Sequence, residues 1–138
     1  MAEEERRRPV IVGVDRSAES ALALRHALAL GRDLGRPVTV VHAVGLLEEG
    51  GYREAPSVDE MLARAHAAVD STDDVPVRVV REDGPAADVL VRCAQREDAA
   101  YLVVGRRGMG DAPRALGSVS ERVLEHASQP VVVVALPG

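Results

Sequence analysis

Three short stretches hold most of the residues able to do chemistry. Gly105-Arg106-Arg107-Gly108-Met109-Gly110 and Gly117-Ser118-Val119-Ser120 gather glycines, guanidiniums and hydroxyls around the predicted start of a helix. Glycine lets a backbone approach a ligand closely and adopt positive φ. Unpaired N–H groups at a helix start, with the helix dipole behind them, attract an anion. Ser118 and Ser120 add hydroxyl donors, and Arg106, Arg107 and Arg114 add charge suited to phosphate. The same residues also read as a flexible loop closed by a Gly-Ser helix cap, and glycine spacing alone does not choose between the two. The third stretch is Asp15-Arg16-Ser17, at the end of a predicted strand.

The elements that position these stretches alternate along the chain. Pro9–Asp15 is a β-branched run of the kind buried on both faces of a parallel sheet. Ser17 reads as the N-cap of a helix reaching Leu34, with Glu19 in its first turn where the dipole favours an anion. Gly35 ends that helix, and Pro37 introduces a strand over Val38–Val44. Gly45, Gly50, Gly51 and Pro56 break up the next segment. A helix over Val58–Val69, capped by Ser57, and a strand over Val75–Arg81 follow. Pro85 suits the first turn of a helix to Glu97, and Tyr101–Gly105 is a fourth strand. A last helix over Ser118–Ala127 and a strand over Val131–Leu136 complete a β-α-β-α-β-α-β-α-β order. Such alternation implies α/β architecture: one doubly wound, five-stranded parallel sheet with helices on both faces. Ligands of such sheets bind beyond the carboxyl ends of the strands, where the strand order reverses.

Composition narrows the function. The 138 residues suit one domain, and all 17 basic residues are Arg. Without Lys there is no Walker A lysine and no Schiff base. Two Tyr are the only aromatics, too few to stack bases along a single strand. The net charge of −5 argues against nucleic acid and anionic membrane as partners. The single Cys93 excludes an internal disulfide. His26, His42, His66 and His126 lack metal-ligand spacing, so no metal is expected. Residues 1–8 read as a solvated tail ahead of a domain over 9–138. The polar start and the absence of a long apolar run lead us to expect a cytoplasmic protein.

The motifs fall in a familiar order. V-V-G-R-R-G followed by G-S-V-S-E-R-V-L-E-H-A-S-Q-P-V-V-V-V resembles the C-terminal signature of the universal stress protein family. V-I-V-G-V-D-R-S at Val10–Ser17, V-T-V-V-H-A-V at Val38–Val44 and E-D-G-P-A-A-D-V-L at Glu82–Leu90 resemble its earlier elements. The resemblance implies an adenine nucleotide alpha hydrolase-like sheet in strand order 3-2-1-4-5. It also implies ATP as ligand, with backbone N–H groups of the glycine loop holding the phosphates. By position, Gly105, Gly108, Gly117 and Ser118 fill the family's glycine pattern, and Val119 and Ser120 continue it. Arg107 lies within the pattern; Val14, Asp15 and Ser17 match the first-strand turn beside the ribose, and Val41 matches a position near the adenine. Asp15 is the one carboxylate placed to help hold Mg2+ with the phosphates.

The chain departs from the pattern in three places. Eight residues, not nine, separate Gly108 from Gly117, and Pro113 among them removes a donor. Arg16 stands where the family has glycine, and the segment Leu46–Asp74 is short. These departures favour an alternative: a universal stress protein that binds no nucleotide and acts as a dimeric protein-interaction module. No general base accompanies the loops, so hydrolysis is expected to be slow at most. A receiver domain is excluded by the missing lysine, and no serine sits in a nucleophile elbow. Val131–Val134 is an apolar run on an expected edge strand, a pairing hazard best covered by a second copy. The family resemblance implies the same homodimer.

Overall fold

Prolines stand immediately before four of the strands. The structure, a computed structural model, describes residues 2–15, 17–44, 57–107 and 116–137. Strands β1 (Val10–Val14), β2 (Val38–Val44), β3 (Val77–Asp83), β4 (Tyr101–Gly105) and β5 (Val131–Val134) form one sheet in the order β3-β2-β1-β4-β5. Every pairing is parallel. Pro9, Pro37, Pro76 and Pro130 each lack an N–H, but their carbonyls accept the opening N–H groups of neighbouring strands: Ala100 on Pro9 at 2.8 Å, Val10 on Pro37 at 2.9 Å, Val38 on Pro76 at 2.8 Å and Leu102 on Pro130 at 3.0 Å.

The central strands β1, β2 and β4 are buried on both faces because helices cover both. Val10, Val12 and Val14 of β1 pack with helices α2 (Ala18–Leu34) and α3 (Val58–Ala68). Ile11 faces the other way, toward α4 (Ala86–Arg96) and α5 (Ser118–His126). On β4 the same alternation sends Val103 to the first layer and Leu102 and Val104 to the second. Serine caps start α2 and α3: Ser17 Oγ accepts the Ser20 N–H and Ser57 Oγ the Glu60 N–H, each at 3.1 Å. Gly35 closes α2 at φ 65°, where a side chain would be strained.

Element bounds shift from the sequence reading in three places. Strand β3 starts at Val77 rather than Val75, because the Val75 N–H closes a turn onto Thr72 O at 3.1 Å. The last strand stops at Val134 rather than Leu136, and Leu136 is exposed. Residues 1–8, expected as a solvated tail, carry the short helix α1 (Glu3–Arg6). Glu5 pairs with Arg8 at 3.0 Å and with the buried Arg36 at 3.1 Å, and Arg8 reaches Asp98 O at 3.1 Å. Those pairs tie the segment to the amino end of the sheet, a long-range contact that local charge patterning does not reveal.

Candidate functional site

The order β3-β2-β1-β4-β5 places the reversal of winding between β1 and β4, so the loops after these strands face one another. A ring of three hydrogen bonds shapes the first loop. Asp15 Oδ1 accepts the Ser17 N–H at 3.0 Å, Ser17 Oγ accepts the Ser20 N–H at 3.1 Å, and Ser20 Oγ accepts the Asp15 N–H at 2.9 Å. Each side chain thus holds the backbone of another, and the turn into α2 is fixed before any ligand arrives.

The second loop is cinched at its base. The Arg106 N–H donates to Val134 O at 2.7 Å, and the Gly117 N–H donates to Arg106 O at 2.7 Å. Ser120 Oγ donates to Gly105 O and lies 3.1 Å from Arg106 O. The two loops meet at Gly105. A Cβ built there would stand 3.1 Å from the Glu19 carbonyl carbon and 3.2 Å from Ser20 N, a tight fit that glycine relieves where β4 ends against α2. Glu19 then closes the contact: its Oε2 accepts the Arg107 N–H at 3.2 Å, and its Oε1 lies 3.5 Å from Arg107 Nε and 3.7 Å from Arg106 Nη2.

Between the loops lies a small crevice of about 60 Å³. Of the residues singled out in the sequence, Val14, Asp15, Ser17, Val41, Gly105, Arg107, Val119 and Ser120 line it. Gly117 is buried at the N-cap of α5, its N–H spent on Arg106 O, and Ser118 is exposed one position on. Neither is among the described lining residues. Gly108, Arg16, Pro113 and Arg114 lie outside the described residues.

The sequence reading missed other walls. Gly13, Ser20, Ala43, Ala86, Leu90 and Val104 also line the crevice. Gly13 was detectable as a glycine inside a β-branched run, which marks a close approach. A Cβ there would come 2.7 Å from Leu90 Cδ1. Ser20 was detectable as the second serine of an S-x-x-S turn. The floor is aliphatic, from Val14, Val41, Leu90 and Val104. The rim is polar, from Asp15, Ser17, Ser20 and Arg107. An apolar floor with a few convergent polar groups is what a small heterocycle carrying a charged substituent needs.

The universal stress protein family model matches residues 6–135. A universal stress protein of Mycobacterium tuberculosis is 34% identical over 141 aligned positions, which cover 91% of this chain and 46% of that protein. The chain spans about half the length of the curated mycobacterial relatives it matches. Among solved structures, a universal stress protein in complex with cAMP superposes with a TM-score of 0.72 at 23% identity, covering 95% of this chain and 98% of that one. The universal stress protein from Archaeoglobus fulgidus in complex with dAMP gives 0.65 at 24% identity, covering 94% and 98%. Likeness at this identity shows the shared fold.

Proposed function

The chain belongs to the universal stress protein family, and we propose that its crevice binds an adenine nucleotide as a sensing or signalling module. The observation that carries this reading is the crevice itself. Loops after β1 and β4, distant in sequence, bring an aliphatic floor, Asp15, Ser20 and the Arg107 guanidinium to one place. The base lies on Val14, Val41 and Leu90, Asp15 accepts from the ribose hydroxyls, and Arg107 meets phosphate. Ser20 Oγ accepts from the Asp15 N–H and so holds the Asp15 backbone beside the ligand. Solved relatives carrying cAMP and dAMP support the ligand class.

The glycine pattern implies ATP as the form bound. Yet the Gly117 N–H and the Ser120 hydroxyl proton already serve backbone carbonyls, which leaves fewer donors for a triphosphate. Among the described lining residues Asp15 is the one carboxylate, so the reading is of binding rather than catalysis. The test starts with chromatography of nucleotides released on denaturation, then calorimetry on nucleotide-free protein. Arg107→Gln removes one charge-assisted contact and weakens nucleotide about ten- to a hundredfold. Neither co-purified nucleotide nor heat at millimolar adenine nucleotide would overturn the reading.

A homodimer along β5 belongs to the same proposal. The two sheet edges differ: β3 carries Arg78, Arg81, Glu82 and Asp83, whereas β5 is V-V-V-V. Charges on an edge discourage pairing, and their absence invites it. Parallel pairing to β4 occupies the Val132 backbone, so Val131 and Val133 direct theirs outward. Val133→Pro removes an outward N–H and leaves the β4 ladder intact. Sedimentation velocity should show a dimer for the native chain and a monomer for the variant; a native monomer at all concentrations would contradict the dimer.

A further inference from the structure

Glu19 is an anion buried where an anionic ligand is expected. Its side chain is 7% exposed, at the second position of α2. It does not line the crevice, and it contacts the two arginines that open the glycine loop. The Gly105 backbone is wedged against the Glu19 main chain, so the carboxylate is held in place. Arg106, Arg107 and Glu19 together carry one net positive charge, where the two arginines alone would carry two.

We propose that Glu19 tunes the response to ligand charge: by cancelling one of the two guanidinium charges, it removes much of the advantage that di- and triphosphates would gain over adenine ligands with a single phosphate, monoester or cyclic diester. This rests on the nucleotide reading above and sharpens it. A fixed carboxylate acts on a ligand in proportion to the ligand's charge. Contacts to the base are the same for every member of the series, and contacts to the ribose for all but cyclic AMP, whose 3′-oxygen is esterified. Glu19 works through Arg106 and Arg107 and is a positioning residue. A role confined to the dipole of α2, or to holding the loop, would alter all adenine ligands alike.

Glu19→Gln separates these roles. The amide has the same shape, and its carbonyl still accepts the Arg107 N–H, but the charge is gone. Calorimetry without Mg2+ at low ionic strength would compare both proteins with adenosine, cyclic AMP, AMP, ADP and ATP. The native protein should gain little affinity from AMP to ATP. The variant should leave adenosine unchanged and gain about two- to fivefold in affinity per added ligand charge, less at high salt. Arg106→Gln should do the opposite, losing most for ATP, and it provides the answer if Glu19→Gln fails to fold. Ligands that bind with a flat ratio across the series would overturn the charge selection alone. If neither protein binds any of the five at millimolar concentration, the nucleotide reading falls and this inference with it.

Discussion

The two ends of the sheet use the same strands and opposite chemistry. At the amino end, proline carbonyls take the opening N–H groups, and Glu5, Arg8 and Arg36 tie α1 over the top. Thr39 Oγ1 donates to Glu97 at 3.0 Å, and Arg78 pairs with the same carboxylate. At the carboxyl end, glycines and serines let two loops approach closely and still leave a crevice. Both ends spend polar groups on themselves, but at the carboxyl end those bonds hold two loops around a crevice with an aliphatic lining. The difference teaches that the same hydrogen-bonding groups can seal one end and shape a crevice at the other, which is where the proposed ligand is placed.

Matched glycine substitutions should separate the ends most sharply. Gly31→Ala places a Cβ 2.7 Å from Val38 Cγ2 and 2.9 Å from Arg36 O, near the amino end. We expect it to lower unfolding free energy by about 2–3 kcal/mol, read by urea denaturation, with nucleotide affinity of the folded fraction unchanged. Gly105→Ala meets main-chain atoms at 3.1 Å, a milder clash. It should lower stability by about 1–2 kcal/mol and, unlike Gly31→Ala, weaken nucleotide. Equal effects of both on affinity would break the comparison.

Arg36→Ala comes next. It removes the buried guanidinium that reaches Arg8 O at 3.1 Å and Glu5, and should lower stability by about 1–2 kcal/mol without altering ligand affinity.

Acid should loosen the amino end by a smaller amount. Hydrogen bonds from Arg8 and then Arg36 hold the Glu5 carboxyl below its ordinary value of 4.5. A depressed carboxyl stabilises fully above the ordinary value, and the contribution is lost as pH falls through the depressed one. The urea midpoint of the native chain should therefore fall more steeply below pH 4.5 than that of Glu5→Gln. Parallel curves would contradict this.

The smallest effect concerns Cys93, on the buried face of α4. Burial, and then the charge of Glu82, push its thiol up. It should resist alkylation in the native state and react at the rate of global opening. Fast labelling of native protein would mean that the α4 layer opens on its own.

Much of this was readable because local patterns carry it. The β-branched runs, Ser17, Ser57 and Gly35 each announce an element boundary through its own physics. The family signature supplied the strand order. What stayed hidden depends on contacts across the chain. Glu19 reads locally as a dipole complement in a first turn, and its burial follows from Gly105, far along the sequence. Nothing local singles out Arg36, yet it is buried against α1. Ser120 reads as a phosphate donor, and its proton holds the loop instead.

The central claim is that ligand binds at the carboxyl end and nowhere near the amino end. The direct measurement is an amide chemical-shift titration of the labelled protein with AMP. We expect the large changes at Gly13, Asp15, Ser20, Gly105, Arg107 and Val119, which line the crevice, with Val10, Val38, Ala100 and Leu102 unmoved. No changes at millimolar AMP, or changes clustered at the amino end, would contradict the account.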